Sequence, residues 1–287
     1  MSARSNAEEV PSTMSEEAPS ASPPAESPKP PTKKPRPRWF RIVTRVVGAG
    51  VLIGGVTGGA LAGAWLNIMP GGWRIRAEVW TYQFHRALNK FRAENAKAPA
   101  GTVVFLGSST IEKMPLNKLF PGAPVLNRGL GGTQTVQMWE QLDACLPKER
   151  PAGVVVNGGA NDLRAGRREP LEVLQRVIKV VDGVRERFPG VPIAILEPIV
   201  QSEEDFDLVL QITYGSEVLQ AWAREQHIPY IRVNRPPLVT EDGRARKDMT
   251  AADGRHPNEQ AFKIIAKWIV EEGGEATAPL RGIQIPD

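Results

Sequence analysis

The sequence predicts an α/β domain built on a five-stranded parallel sheet with helices on both faces, and two observations predict it. From Gly101 onward, short apolar runs alternate with longer segments of helical periodicity. Each pair of runs is separated by enough chain for a crossover helix, which makes the strands parallel and the connections right-handed. The 287 residues hold one domain of about 200 residues with a substantial appendage.

The appendage comes first. Residues 1–38 are dense in Ser, Pro, Ala and Glu, with no apolar periodicity. Such a segment cannot bury enough surface to offset the entropy of ordering, so residues 1–45 are expected to form a disordered, basic tail. Residues 46–68 then run for 23 positions without a charge. As a helix they would extend about 34 Å, against a hydrocarbon core of about 30 Å. A transmembrane helix is therefore expected. The alternative is a cleaved signal peptide, with small residues at Ala60-Leu61-Ala62, but the apolar length and the long preceding tail favour an uncleaved anchor. Lys33, Lys34, Arg36, Arg38, Arg41 and Arg45 precede the span, which places the N-terminus in the cytoplasm and the folded domain outside, periplasmic or extracellular. Gly50, Gly54 and Gly58, and likewise Gly55, Gly59 and Gly63, recur every fourth residue, a face through which two spans could form a homodimer.

Within residues 70–98, Trp73, Ala77, Trp80, Phe84, Leu88 and Phe91 make the stripe of an amphipathic helix, a stalk or a cover for the domain. The domain itself is expected over residues 101–275. Residues 103–106, 125–126, 154–156, 193–196 and 230–233 read as strands. Residues 135–146, 170–188 and 206–226 read as intervening helices, residues 258–272 as the closing helix, and residues 276–287 as a C-terminal tail.

Composition excludes several functions. The formal charge is +4, and eight Lys and Arg against five Glu in residues 1–45 carry most of it, so the folded part has no basic excess for nucleic acid. Cys145 is the only cysteine, so no intrachain disulfide forms, and no Cys/His cluster has zinc spacing.

In a parallel sheet, ligands sit at the carboxyl ends of the strands, and four blocks fall there. Gly107-Ser108-Ser109-Thr110 follows the first strand, where a serine on a strand-to-helix turn projects its hydroxyl beside helix N-terminal amides. Asn127-Arg128-Gly129-Leu130-Gly131-Gly132-Thr133 follows the second, with glycines that let bare amides approach a substrate. Gly158-Gly159-Ala160-Asn161-Asp162 follows the third, where an Asn side chain can join a backbone amide in holding an oxyanion. Asp253-Gly254-Arg255-His256-Pro257 precedes the last helix. Of the three histidines, His85 lies in the first amphipathic helix and His227 before the fifth strand, which leaves His256 as the general base, with Asp253 three residues earlier to fix its tautomer. Each block alone also reads as an ordinary turn or helix cap; their joint order argues for one site.

These blocks resemble those of the SGNH hydrolases, or GDSL-type esterases and lipases, over residues 101–272. The resemblance implies a three-layer α/β/α, flavodoxin-like SGNH hydrolase fold, with Ser109 as nucleophile, His256 as base and Asp253 as its partner. It further implies three oxyanion donors: the amides of Ser109 and Gly132 and the Asn161 side chain. Ser108 stands where the family's eponymous Asp precedes the nucleophile. The implied reaction is acyl transfer through an acyl-enzyme, requiring neither metal nor organic cofactor. The expected substrate is a small-molecule or carbohydrate ester, with short acyl groups of envelope carbohydrate favoured by the tether. A lysophospholipase or thioesterase, and a non-catalytic binding module, are the competing readings.

Overall fold

The computed structural model describes residues 72–164 and 169–286. The expected tail and membrane span, with its glycine face, lie outside these residues; among the described residues no helix is long and apolar enough to cross a membrane.

Five strands, β1 (Val103–Gly107), β2 (Val125–Gly129), β3 (Gly153–Asn157), β4 (Ile193–Leu196) and β5 (Tyr230–Ile231), form one sheet in the order β2-β1-β3-β4-β5. Every pairing is parallel, as the alternation of strands and helices predicts. The helices are α1 (Gly72–Asn95), α2 (Ser109–Lys113), α3 (Leu116–Leu119), α4 (Thr135–Glu140), α5 (Leu142–Cys145), α6 (Ala160–Arg164), α7 (Pro170–Arg187), α8 (Phe206–Glu225) and α9 (Glu259–Glu272).

Alternate strand residues build two cores, because successive side chains point to opposite faces. Val104, Leu106, Val154, Val156, Ile193 and Ile195 pack against α1, α4, α5, α7 and α8. Val103, Phe105, Val155, Ala194, Leu196 and Ile231 pack against α2, α3 and α9.

Several boundaries differ from the sequence reading, each for a local reason. β2 runs to Gly129 instead of ending at Leu126, in register with β1 throughout. β5 ends at Ile231 instead of Val233, because the amides of Val233 and Asn234 both donate to the buried Glu197 carboxylate at 2.7 Å, which takes them out of the ladder. The helix expected over 135–146 breaks at Gln141. The carbonyls at its far end are taken up by Asn95, whose Nδ2 donates to Ala144 O and Leu146 O, and by Arg128, whose Nε donates to Cys145 O. Residues 276–287 are not simply a tail: a 3-10 turn, Gly274–Leu280, buries Ala276, Thr277 and Leu280 against the second core.

α1 is a cover more than a stalk. Residues 74–79 are mostly exposed, but Leu88, Phe91 and Asn95 are buried in the domain. The fully buried Arg128 guanidinium sits 4.7 Å over the Phe91 ring and bonds Asn95 and Glu94, so its charge is paired where desolvation would otherwise be costly. Cys145 lies beside it, its thiol pushed up to about 12 by burial, a packing group with no reactive thiolate.

Candidate active site

Ser109 is the first residue of α2, immediately past the carboxyl end of β1. Two features hold α2 in place. A Cβ on Gly129 would come within 1.9 Å of the Glu112 amide nitrogen, so only glycine lets α2 lie this close to β2. Asn127 Nδ2 donates to Ile111 O and Met114 O at the far end of the helix. Asn127 is thus a brace for the serine-bearing helix, a use the sequence did not reveal.

His256 precedes α9 in a loop closed by hydrogen bonds from Ala251 N to His256 O and from Ser202 Oγ to Gly254 O. Its Nε2 lies 2.8 Å from Ser109 Oγ, and its Nδ1 lies 2.7 Å from Asp253 Oδ2. The structure therefore brings together three residues that the chain separates by up to 147 positions. The second carboxylate oxygen, Oδ1, accepts from the amides of Arg255 and His256, which orients Asp253 independently of the imidazole.

Burial opposes the Asp253 charge, yet hydrogen bonds from Lys113, the imidazole and two amides together hold its carboxyl well below the usual carboxylate range. Burial is also the largest influence on His256 and pushes it below its ordinary 6.5; Asp253 pulls it up, while the Lys113 and Arg164 cations push it down. The imidazole is consequently neutral near pH 7 and free to accept a proton.

The donor candidates flank the serine's strand: Gly132 follows β2 and Asn161 follows β3, the two neighbours of β1 in the sheet. Gly132 has φ of 77°, the left-handed region that a side chain would strain, and Trp80 Nε1 donates to Gly131 O at 3.1 Å, tying this loop to α1. Asn161 Nδ2 donates to Thr133 O at 2.9 Å, which joins the loops after β2 and β3. Beneath them the buried Asp162 accepts from the Thr135 amide and hydroxyl and from Arg176. Trp80, Phe84, Ala87 and Leu130 line a cleft of about 270 Å³ beside Gly131 and Gly132.

Sequence reasoning missed Lys113, Asp162 and Arg164 as parts of this region. Asp162 was legible only as turn chemistry, since its partners Thr135 and Arg176 lie on other elements. Among the described residues, no group of three or more His, Cys, Asp or Glu is arranged to hold a metal ion. His85 and His227 are exposed outside the site.

The model of the GDSL-like Lipase/Acylhydrolase family matches residues 113–264, more than half of the chain. The chain belongs to this family. The match takes in Gly132, Asn161, Asp253 and His256, and begins four residues after Ser109. The hydrolase shares its fold with a Streptococcus pneumonia protein described as a platelet activating factor, at 22% identity and a TM-score of 0.62, covering 69% of this chain and 96% of that one. A GDSL-like lipase from Bacteroides thetaiotaomicron VPI-5482 is similar at 20% identity and TM-score 0.55, over 64% of this chain and 95% of the lipase. An acylhydrolase from Bacteroides fragilis NCTC 9343 is similar at 19% identity and TM-score 0.54, over 64% and 94%. No curated protein matches.

Proposed function

We propose that this hydrolase is a serine esterase that works through a Ser109–His256–Asp253 triad and an acyl-enzyme. The observation that carries the reading is the unbroken hydrogen-bonded run from Ser109 Oγ through the imidazole to Asp253 Oδ2. With Nδ1–H donating to Asp253, Nε2 accepts the serine proton as Oγ attacks an ester carbonyl, and the carboxylate stabilises the imidazolium that results. The amides of Ser109 and Gly132 and the second N–H of Asn161 hold the oxyanion. The imidazolium returns its proton to the departing alcohol, and a water activated by the same base releases the acid.

Short acyl esters, acetyl groups of envelope carbohydrate in particular, are the substrates this reading favours. Its support is in the sequence: an uncharged stretch at 46–68 behind a basic cluster, which would tether the enzyme beside such a polymer with its catalytic domain outside the cytoplasm. The cleft beside Gly132, apolar at Trp80, Phe84, Ala87 and Leu130 but edged by Gln83 and Glu112, favours a second reading, a lysophospholipase or thioesterase. The test is hydrolysis of nitrophenyl esters of increasing chain length by wild type and Ser109→Ala. Activity on acetyl ester that falls with chain length, and a kcat reduced about 10⁴- to 10⁶-fold in the variant, is expected. Equal inertness of both proteins would reject the triad, and a kcat/KM rising with chain length would select the second reading.

A further inference from the structure

One charged group at the site has no part in the proton relay. Lys113 is the last residue of α2, one helical turn beyond Ser109, and its ammonium donates to Asp253 Oδ2 at 2.6 Å. That same oxygen faces His256 Nδ1 at 2.7 Å, so ammonium and imidazole share a single carboxylate oxygen while Oδ1 is occupied by two backbone amides.

We propose that Lys113 is a positioning residue which, by sharing Asp253 Oδ2 with His256, ties the nucleophile helix to the triad acid and keeps the imidazole a weaker base than an undivided carboxylate would make it. The inference rests on the triad reading above. A carboxylate whose charge is partly answered by an ammonium gives less support to an imidazolium beside it, and the ammonium repels that imidazolium directly. The direction agrees with that of the His256 pKa, which burial lowers most and to whose lowering Lys113 adds.

The other charges around the imidazole are differently engaged. Arg164, on α6, is paired with Glu204 and Ile199 O. Glu203, in the loop after β4, has its carboxylate beside Gly254. Arg246 and Asp248 pair with each other next to Lys247, and Arg255 flanks His256 on the chain. Only Lys113, among the described groups bonded to Asp253 by a side chain, carries a fixed positive charge.

The experiment is the pH profile of kcat/KM for the full chain with Lys113→Met, Lys113→Gln and Lys113→Arg, alongside a titration of the His256 ring by NMR, simplified by a total of three histidines. Removal of the charge is expected to move the acid limb and the ring pKa up by roughly half a pH unit, the size of one water-screened charge at this range. KM should stay unchanged, kcat on the alkaline plateau should stay within a few-fold of wild type, and Lys113→Arg should restore the wild-type limb. Lys113→Met and Lys113→Gln with limb and ring pKa at wild-type values, whatever their melting temperature, would overturn the proposal. That result leaves the triad standing, whereas a fully active Ser109→Ala removes the triad and this inference with it.

Discussion

The two faces of the sheet contribute to the site in different ways. α2 and the loop before α9, packed on the second core, carry Ser109, His256, Asp253 and Lys113, which are linked in that order by hydrogen bonds and remain partly open to solvent, Asp253 with 35% of its side chain exposed. The loop leading to α4 and the first turn of α6 carry Gly132 and Asn161, which are held by the fully buried Asp162 and, through Gly131, by Trp80 of α1. A proton passed from Ser109 to His256 needs a short direct contact, with Asp253 close enough to stabilise the imidazolium. Dipoles that must stay aimed at a developing charge gain from rigid, desolvated support. Rate and stability should therefore separate between the two faces.

The sharpest division is expected at the two aspartates. Asp253→Asn should lower kcat by about 10⁴-fold through the wrong imidazole tautomer, with little change in the urea midpoint; an unfolded variant, or one with near-normal kcat, would break the comparison. Asn161→Ala should cost about 10²- to 10³-fold in kcat with KM nearly constant, the signature of a donor used only in the transition state. Asp162→Ala should show the reverse balance, losing about 2 to 3 kcal/mol of stability as the Thr135 amide, its hydroxyl and Arg176 lose their acceptor; chemical denaturation measures it.

The mildest effect is pH. His256 acts as a base only when neutral, and its pKa lies below 6.5, so kcat/KM should be flat at neutrality and fall tenfold per unit beneath a limb lying under pH 6.5. A limb above 7 would mean that the imidazole is more exposed, or its carboxylate less shared, than the geometry states.

Much of the fold was legible because it is written in local periodicity. The runs at 103–106, 154–156 and 193–196 are buried on both faces and so read as continuous apolar segments. Pro170 and Asn258 mark the starts of α7 and α9, Pro170 as the first helical residue and Asn258 as a cap that accepts from Ala261 N. Elements whose limits depend on remote partners were not legible: β5 is cut short by Glu197, α4 and α5 are divided where Asn95 and Arg128 collect the freed carbonyls, and the segment after residue 275 is buried by the sheet it reaches.

The site divides in the same way. Ser109, Gly132, Asn161, Asp253 and His256 could be named as candidates, because each falls in a block that follows a strand or precedes a helix at one sheet edge, and the structure joins Ser109, His256 and Asp253 by hydrogen bonds. Lys113 facing Asp253 across 140 positions, Asp162 binding Thr135 and Arg176, and Trp80 reaching Gly131 were decided only by the tertiary structure. A sequence records which chemistry is available and roughly where each element ends. Which charges share an oxygen is set by how α2, α9 and the loops pack on the sheet, a matter of distances between residues that the chain order leaves far apart.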